Sequence, residues 1–189
     1  MTQHNSDINE IERLFEEGDI DAVIKLLPSL LERNIPAAIR IRASISDDKI
    51  DSEEFDKKFT DGIFRAAELG DKKARYQVGV FYDIGLYGIE QDKKKASRIF
   101  KELADEDDSH CMWIHACELL WGLGSYPQSV EKGLKYLELA IKQGSAEACI
   151  TKVRLFREQE FGFTSNENEV NRLRELAKEY DETVFDPYG

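Results

Sequence analysis

Apolar residues recur along most of this chain at steps of three and four, the period of helices with one buried face. The pattern is clearest from Ala66 to Ala104, AAELGDKKARYQVGVFYDIGLYGIEQDKKKASRIFKELA. It breaks at Gly85-Leu86-Tyr87-Gly88-Ile89, which predicts a helix, a glycine turn and a second helix. The same arrangement then returns. Ala74, Cys111 and Ala148 stand 37 residues apart, Gly79, Ala116 and Val153 keep that step, and so do Gly85 and Gly122. On the second helix Ala67, Ala104, Ala140 and Ala177 recur at 37, 36 and 37, and Phe64, Phe100 and Tyr136 at 36. A fixed period of this length predicts an array of helical hairpins.

The flanks continue the pattern. A first helix is expected from Ser6 to Glu17, with Ile8, Ile11, Leu14 and Phe15 on one face and Ser6 as its cap. Gly18-Asp19 ends it and opens a second, whose apolar side is Ile20, Val23, Ile24 and Leu27 and whose interior Pro28 predicts a kink. Pro36 fits the first turn of a third helix, and Ala38, 36 residues before Ala74, puts that helix in register. Asp51 or Ser52 should cap its partner, which buries Phe55, Phe59, Ile63, Phe64 and Ala67. Near the end, Phe161 to Asn166 reads as a turn carrying two exposed aromatics, and Asn168 to Lys178 as a polar last helix closing the array.

The first copy carries Ala74, Val78-Gly79, Tyr82, Gly85, Gly88-Ile89, Asp92, Lys95-Ala96, Phe100 and Ala104. These residues resemble the Sel1-like repeat family, relatives of the tetratricopeptide repeats. The departures are one extra residue between the turn glycines and Val78 in place of the usual Leu. A looser second copy runs through Cys111, His115-Ala116, Leu119, Gly122, Gly124, Ser129, Gly133, Tyr136 and Ala140, and a third keeps Gly144, Ala148, Glu167 and Ala177. The resemblance implies an all-α fold, a right-handed α-solenoid of stacked helix-turn-helix repeats with about ten helices. One domain over 1–189 is expected, with a capping helix pair in 1–35, the repeats in 36–180 and an irregular tail in 181–189.

Composition narrows the function classes. The net charge is −12 and the isoelectric point about 4.8, an excess of carboxylates that opposes direct nucleic-acid binding and suits a basic protein partner or solubility alone. No apolar run approaches the roughly 18 residues of a membrane span, and the polar, acidic MTQHNSDINEIERLFEE lacks the features of a signal peptide. A cytoplasmic protein, monomeric when free, with reduced thiols at Cys111, Cys117 and Cys149 is expected.

Candidate chemistry is sparse. His110, Cys111, His115 and Cys117 contain the ligand types of a zinc site, but six residues along a helix turn through about 600°, which leaves the two thiols about 120° apart. Neither a nucleophile constellation nor a phosphate loop is marked, so no catalytic residue, metal or cofactor is expected. The run Asp105 to Asp108 reads as a solvated loop or as a contact for a basic partner.

In the related tetratricopeptide arrays the first helix of each pair lines a concave face. The repeat register then sends Arg40, Asp47 and Asp48, Tyr76 and Asp83, Trp113 and Trp121, and Arg154 inward, where they either pack between pairs or form a partner-binding strip. Positions such as Ala74, Gly79 and Ala104 should act through stability instead. Two function classes remain. The first is a non-enzymatic binding protein: a bacterial immunity protein neutralising a toxin domain, as the family resemblance implies for small stand-alone members, or an intracellular adaptor. The second is an enzyme acting on a cell-wall-related compound.

Overall fold

The computed structural model describes residues 2–46 and 51–188, with side chains from Ser6 onward; Asp47 and Asp48 lie outside the described residues. Among these residues every regular element is helical. The helices are α1 (Thr2–Glu16), α2 (Ile20–Glu32), α3 (Pro36–Ser44), α4 (Ser52–Glu68), α5 (Lys72–Ile84), α6 (Lys93–Asp105), α7 (Ser109–Trp121), α8 (Val130–Lys142), α9 (Ala146–Arg157) and α10 (Glu167–Tyr180), with a short 3-10 turn at Glu160–Gly162. The chain divides into two compact units, Met1–Asp92 and Lys93–Gly189.

The 37-residue period is visible as repeated hydrogen bonds. Asp71, Asp108 and Ser145 each cap a helix, accepting from the backbone N–H of Ala74 at 2.7 Å, Cys111 at 2.8 Å and Ala148 at 3.1 Å. Each such cap contributes about 1 kcal/mol. One residue earlier, Gly70, Asp107 and Gly144 take left-handed backbone with φ of 94°, 67° and 90°, so the preceding helix stops and the chain reverses. A second repeated device closes the long turns. Gln91 Nε2 donates to the Asp83 carbonyl at 2.8 Å, and Gln128 Nε2 donates to the Leu120 carbonyl at 2.7 Å. Beside them the N–H of Asp92 reaches the Tyr82 carbonyl at 2.8 Å, and that of Ser129 the Leu119 carbonyl at 2.9 Å.

In the first unit, Ile11, Val23, Ile35 and Ile41 form a fully buried cluster across α1 to α3. Ile63, Ala66 and Phe81 are buried where α4 meets α5, and Phe59, Phe81 and Tyr87 meet edge to face at 5.1–5.8 Å. In the second unit the core is Leu103, Leu120, Leu137, Leu155 and Leu173, all fully buried. There α8 approaches α7 over Gly133, where an added Cβ would lie 2.7 Å from Leu120 Cγ.

Several sequence expectations shift. α1 begins upstream of Ser6, so that residue lies inside the helix rather than at its cap. The buried ridge of α2 is Val23, Leu27 and Leu30, and Ile24, one step of about 100° from Val23, is 51% exposed. α2 continues through Pro28 to Glu32; Pro28 is on the exposed side, where water can serve the carbonyl it leaves unbonded. Asp51, rather than Ser52, caps α4, accepting from the Glu54 N–H at 2.8 Å. Its most buried positions are Thr60, Ile63 and Ala66, with Phe55, Phe59, Phe64 and Ala67 half-buried beside them. Phe161 and Phe163 are half-buried rather than exposed, because Phe163 packs on Phe156 at 4.9 Å and Phe161 lies 6.0 Å from Trp121. The non-helical tail folds back on α10, with Arg174 paired to Asp186 at 2.6 Å and donating to the Tyr188 carbonyl.

Candidate binding face of the second unit

Residues 110, 113, 117 and 121 fall on one side of α7 because steps of three and four return a helix to the same face. His110, Trp113, Cys117 and Trp121 occupy these places opposite Glu147, Thr151 and Arg154 of α9. Three polar rungs join the two rows. His110 Nδ1 lies 2.9 Å from Glu147 Oε1. Trp113 Nε1 donates to Thr151 Oγ1 at 2.7 Å. Trp121 Nε1 donates to Glu160 Oε2 at 3.1 Å, just past the end of α9. Arg154 lays its guanidinium 4.4 Å from the centre of the Trp121 ring and pairs with Glu160 at 2.9 Å. A desolvated cation over an indole is worth about 2 kcal/mol, and an exposed one about 0.5–1 kcal/mol.

Every one of these side chains is half-buried. Trp113, Trp121 and Arg154, expected on the partner-binding strip, therefore come together, with both indole N–H groups already satisfied and each side chain partly in solvent. The sequence did not point to Thr151 or Glu160 as the acceptors, although each lies close to one repeat length after its tryptophan.

The other three predicted residues lie in the first unit. Arg40 is buried: its side chain is 8% exposed, its Nε lies 2.9 Å from Asp71 Oδ1, and its Nη2 donates to Glu12. It ties α1 and the start of α5 to α3, which is work inside the fold. Tyr76 and Asp83 are half-buried on α5.

The cysteines are free thiols. Burial pushes Cys117 up to about 12 and Cys149 up to about 11, far from the range of a reactive thiolate. Among the described residues no group of three or more His, Cys, Asp and Glu is placed to hold a metal ion. A buried polar set does link α6 to α7. Ser97 Oγ donates to Glu118 Oε1, His115 Nδ1 lies 3.1 Å from Glu118 Oε2, and Ser97 Oγ accepts from the Ser125 N–H at 3.1 Å. The carboxylate stands between hydroxyl and imidazole, whereas a nucleophile triad needs the imidazole in the middle. Of the carboxylate run, Asp108 is a helix cap, and Asp105 pairs with Lys101 at 2.5 Å while accepting from the Tyr136 hydroxyl at 2.8 Å.

Fold and face together define a helical-hairpin repeat protein, an architecture that presents side chains of successive helices to another protein. Two of its repeats are Sel1 repeats: residues 72–108 and 109–145 match that family, the first running over α5 and α6 and the second over α7 and α8. No curated protein matches the sequence. Among solved structures, a Sel1 repeat protein from Oxalobacter formigenes is similar with a TM-score of 0.68 at 16% identity, over 92% of this chain and 68% of the other. The protective antigen c5321 of uropathogenic Escherichia coli, which displays an SLR fold, gives 0.57 at 14% identity, over 94% of this chain and 46% of the other. The immunity protein Pa5087 from Pseudomonas aeruginosa gives 0.54 at 14% identity, over 97% of this chain and 84% of the other. Similarity at these identities is one of fold. Among the described residues no helix is long and apolar enough to cross a membrane.

Proposed function

We propose that this protein is a non-enzymatic cytoplasmic immunity protein that binds and neutralises a basic toxin domain. The observation that carries the reading is its extent of likeness to the immunity protein Pa5087, nearly the whole of this chain against most of that one. The net charge of −12 supports it, because an acidic inhibitor is drawn to a basic partner and associates fast. The row of Trp113, Trp121 and Arg154 is the proposed contact, since tryptophan and arginine are the residue types that dominate protein interfaces.

The test is co-expression. Each open reading frame beside this gene is expressed in a sensitive host with and without the protein. A frame that arrests growth alone and is tolerated with the protein supports the reading; arrest that the protein does not relieve, for every toxic neighbour, overturns it. Arg154→Ala separates binding from folding. Its side chain is 40% exposed, so its ion pair contributes at most about 1 kcal/mol to stability, whereas its loss from an interface anchor should cost about 2 kcal/mol of binding. Trp113→Ala is the poorer probe, because it also empties a half-buried site and strands Thr151.

A further inference from the structure

The second unit contains a cleft that the proposed contact face does not use. It lies between α6, α7 and α8 under the loop from Tyr126 to Ser129, with a volume of about 560 Å3, inside the roughly 300–1,000 Å3 that small-molecule sites span. Its wall is aromatic: the His115 ring meets Tyr126 at 5.1 Å and Tyr136 at 4.8 Å, both edge to face. Met112, Leu119 and Leu139 supply the apolar lining. Two features distinguish it from a packing gap. His115 has a side chain only 3% exposed, and the contact of its Nδ1 with Glu118 at 3.1 Å holds the ring in the wall. At the rim, the ammonium groups of Lys132 and Lys135 have no acidic partner among the described residues, while Lys101 is neutralised by Asp105 and only Asp107 opposes them. The loop is already fixed by the bonds from Gln128 to Leu120 and from Ser129 to Leu119, so a ligand would not have to order it.

We infer that this cleft is a binding site for a small aromatic acid, its ring against His115, Tyr126 and Tyr136 and its carboxylate at Lys132 and Lys135. The inference does not depend on the immunity reading, because the cleft is on the side of α7 away from Trp113 and Trp121.

Benzoate is the probe, with acetate carrying the charge alone and benzamide the ring alone. Titrations of the full chain are followed by NMR of the His115 and Tyr126 rings. Benzoate should shift both rings saturably in the millimolar range, with acetate and benzamide at least about fivefold weaker. The variant carrying Lys132→Glu and Lys135→Glu should bind about tenfold more weakly, and Asp107→Asn, which removes the one opposing charge, should bind more tightly. Thermal melting of each variant establishes that it is folded. Shifts that do not saturate, equal binding of benzamide and benzoate, or an unchanged affinity in both variants would overturn the assignment.

Discussion

Arg40 is the residue whose place in the structure most changes its meaning. An arginine at an inward repeat position reads as a partner contact, yet its guanidinium is spent on Asp71 and Glu12 within the first unit. Removing one member of a buried ion pair leaves the others uncompensated, at about 3–5 kcal/mol. Arg40→Ala should therefore lower the free energy of unfolding by that amount in urea denaturation, and a loss under about 1 kcal/mol would refute the buried role. Cys117 gives a pH signature. Burial raises its folded pKa to about 12 from the ordinary value near 9.0, with the hydrogen bond from Thr151 pulling the other way. Between these values the unfolded chain loses a proton that the folded chain keeps. The stability this contributes is complete below about pH 9 and lost as pH rises towards about 12. Tyr136 is raised as well, again chiefly by burial, and adds to the same slope. Cys117→Ala should flatten part of the alkaline fall in unfolding free energy; an unchanged slope would place the burial elsewhere.

At the scale of the element, the repeat is a set of hydrogen bonds as much as a pattern of small residues. Asp108→Ala removes a cap and should cost about 1 kcal/mol, leaving the Cys111 N–H without its 2.8 Å acceptor. Gly133→Ala tests the close approach of α8 to α7. The new Cβ would meet Leu120 at Cγ 2.7 Å and at the backbone N 3.0 Å away, and a backbone atom cannot swing aside as a side-chain tip can. A loss of about 1–3 kcal/mol is expected by calorimetry. A neutral or stabilising result would mean that α8 can move away from α7 freely.

For the whole molecule the governing quantities are charge and the absence of cross-links. If a net charge of −12 steers a basic partner, raising the salt from about 0.05 to 0.5 M should slow association by an order of magnitude and leave dissociation nearly unchanged. Stopped-flow mixing with the partner measures both rates, and a salt-independent association rate would remove steering from the account. All three cysteines are free, so a reducing agent should leave the melting temperature unchanged; a fall of several degrees would reveal a bridge.

The three-and-four spacing of apolar residues together with the 37-residue step determined the all-α repeat fold: the first makes the elements helices, and the second, with small residues at fixed places, makes those helices approach closely again and again. Ala74, Cys111 and Ala148 could be placed at buried positions before any coordinates, and each is fully buried. Gly85 and Gly122 could be placed at turns, and both have left-handed backbone. What the sequence left open was which side chains of the inward register were free. Arg40 and Arg154 both fall in it, one turn apart in register, but Arg40 is enclosed by acids from α1 and from the start of α5, whereas Arg154 keeps 40% of its side chain in solvent beside Trp121. Periodicity constrains a residue to a face of its own helix and says nothing of what other helices bring against that face. Only tertiary contact decides whether the residue is spent on the fold or left accessible for a partner.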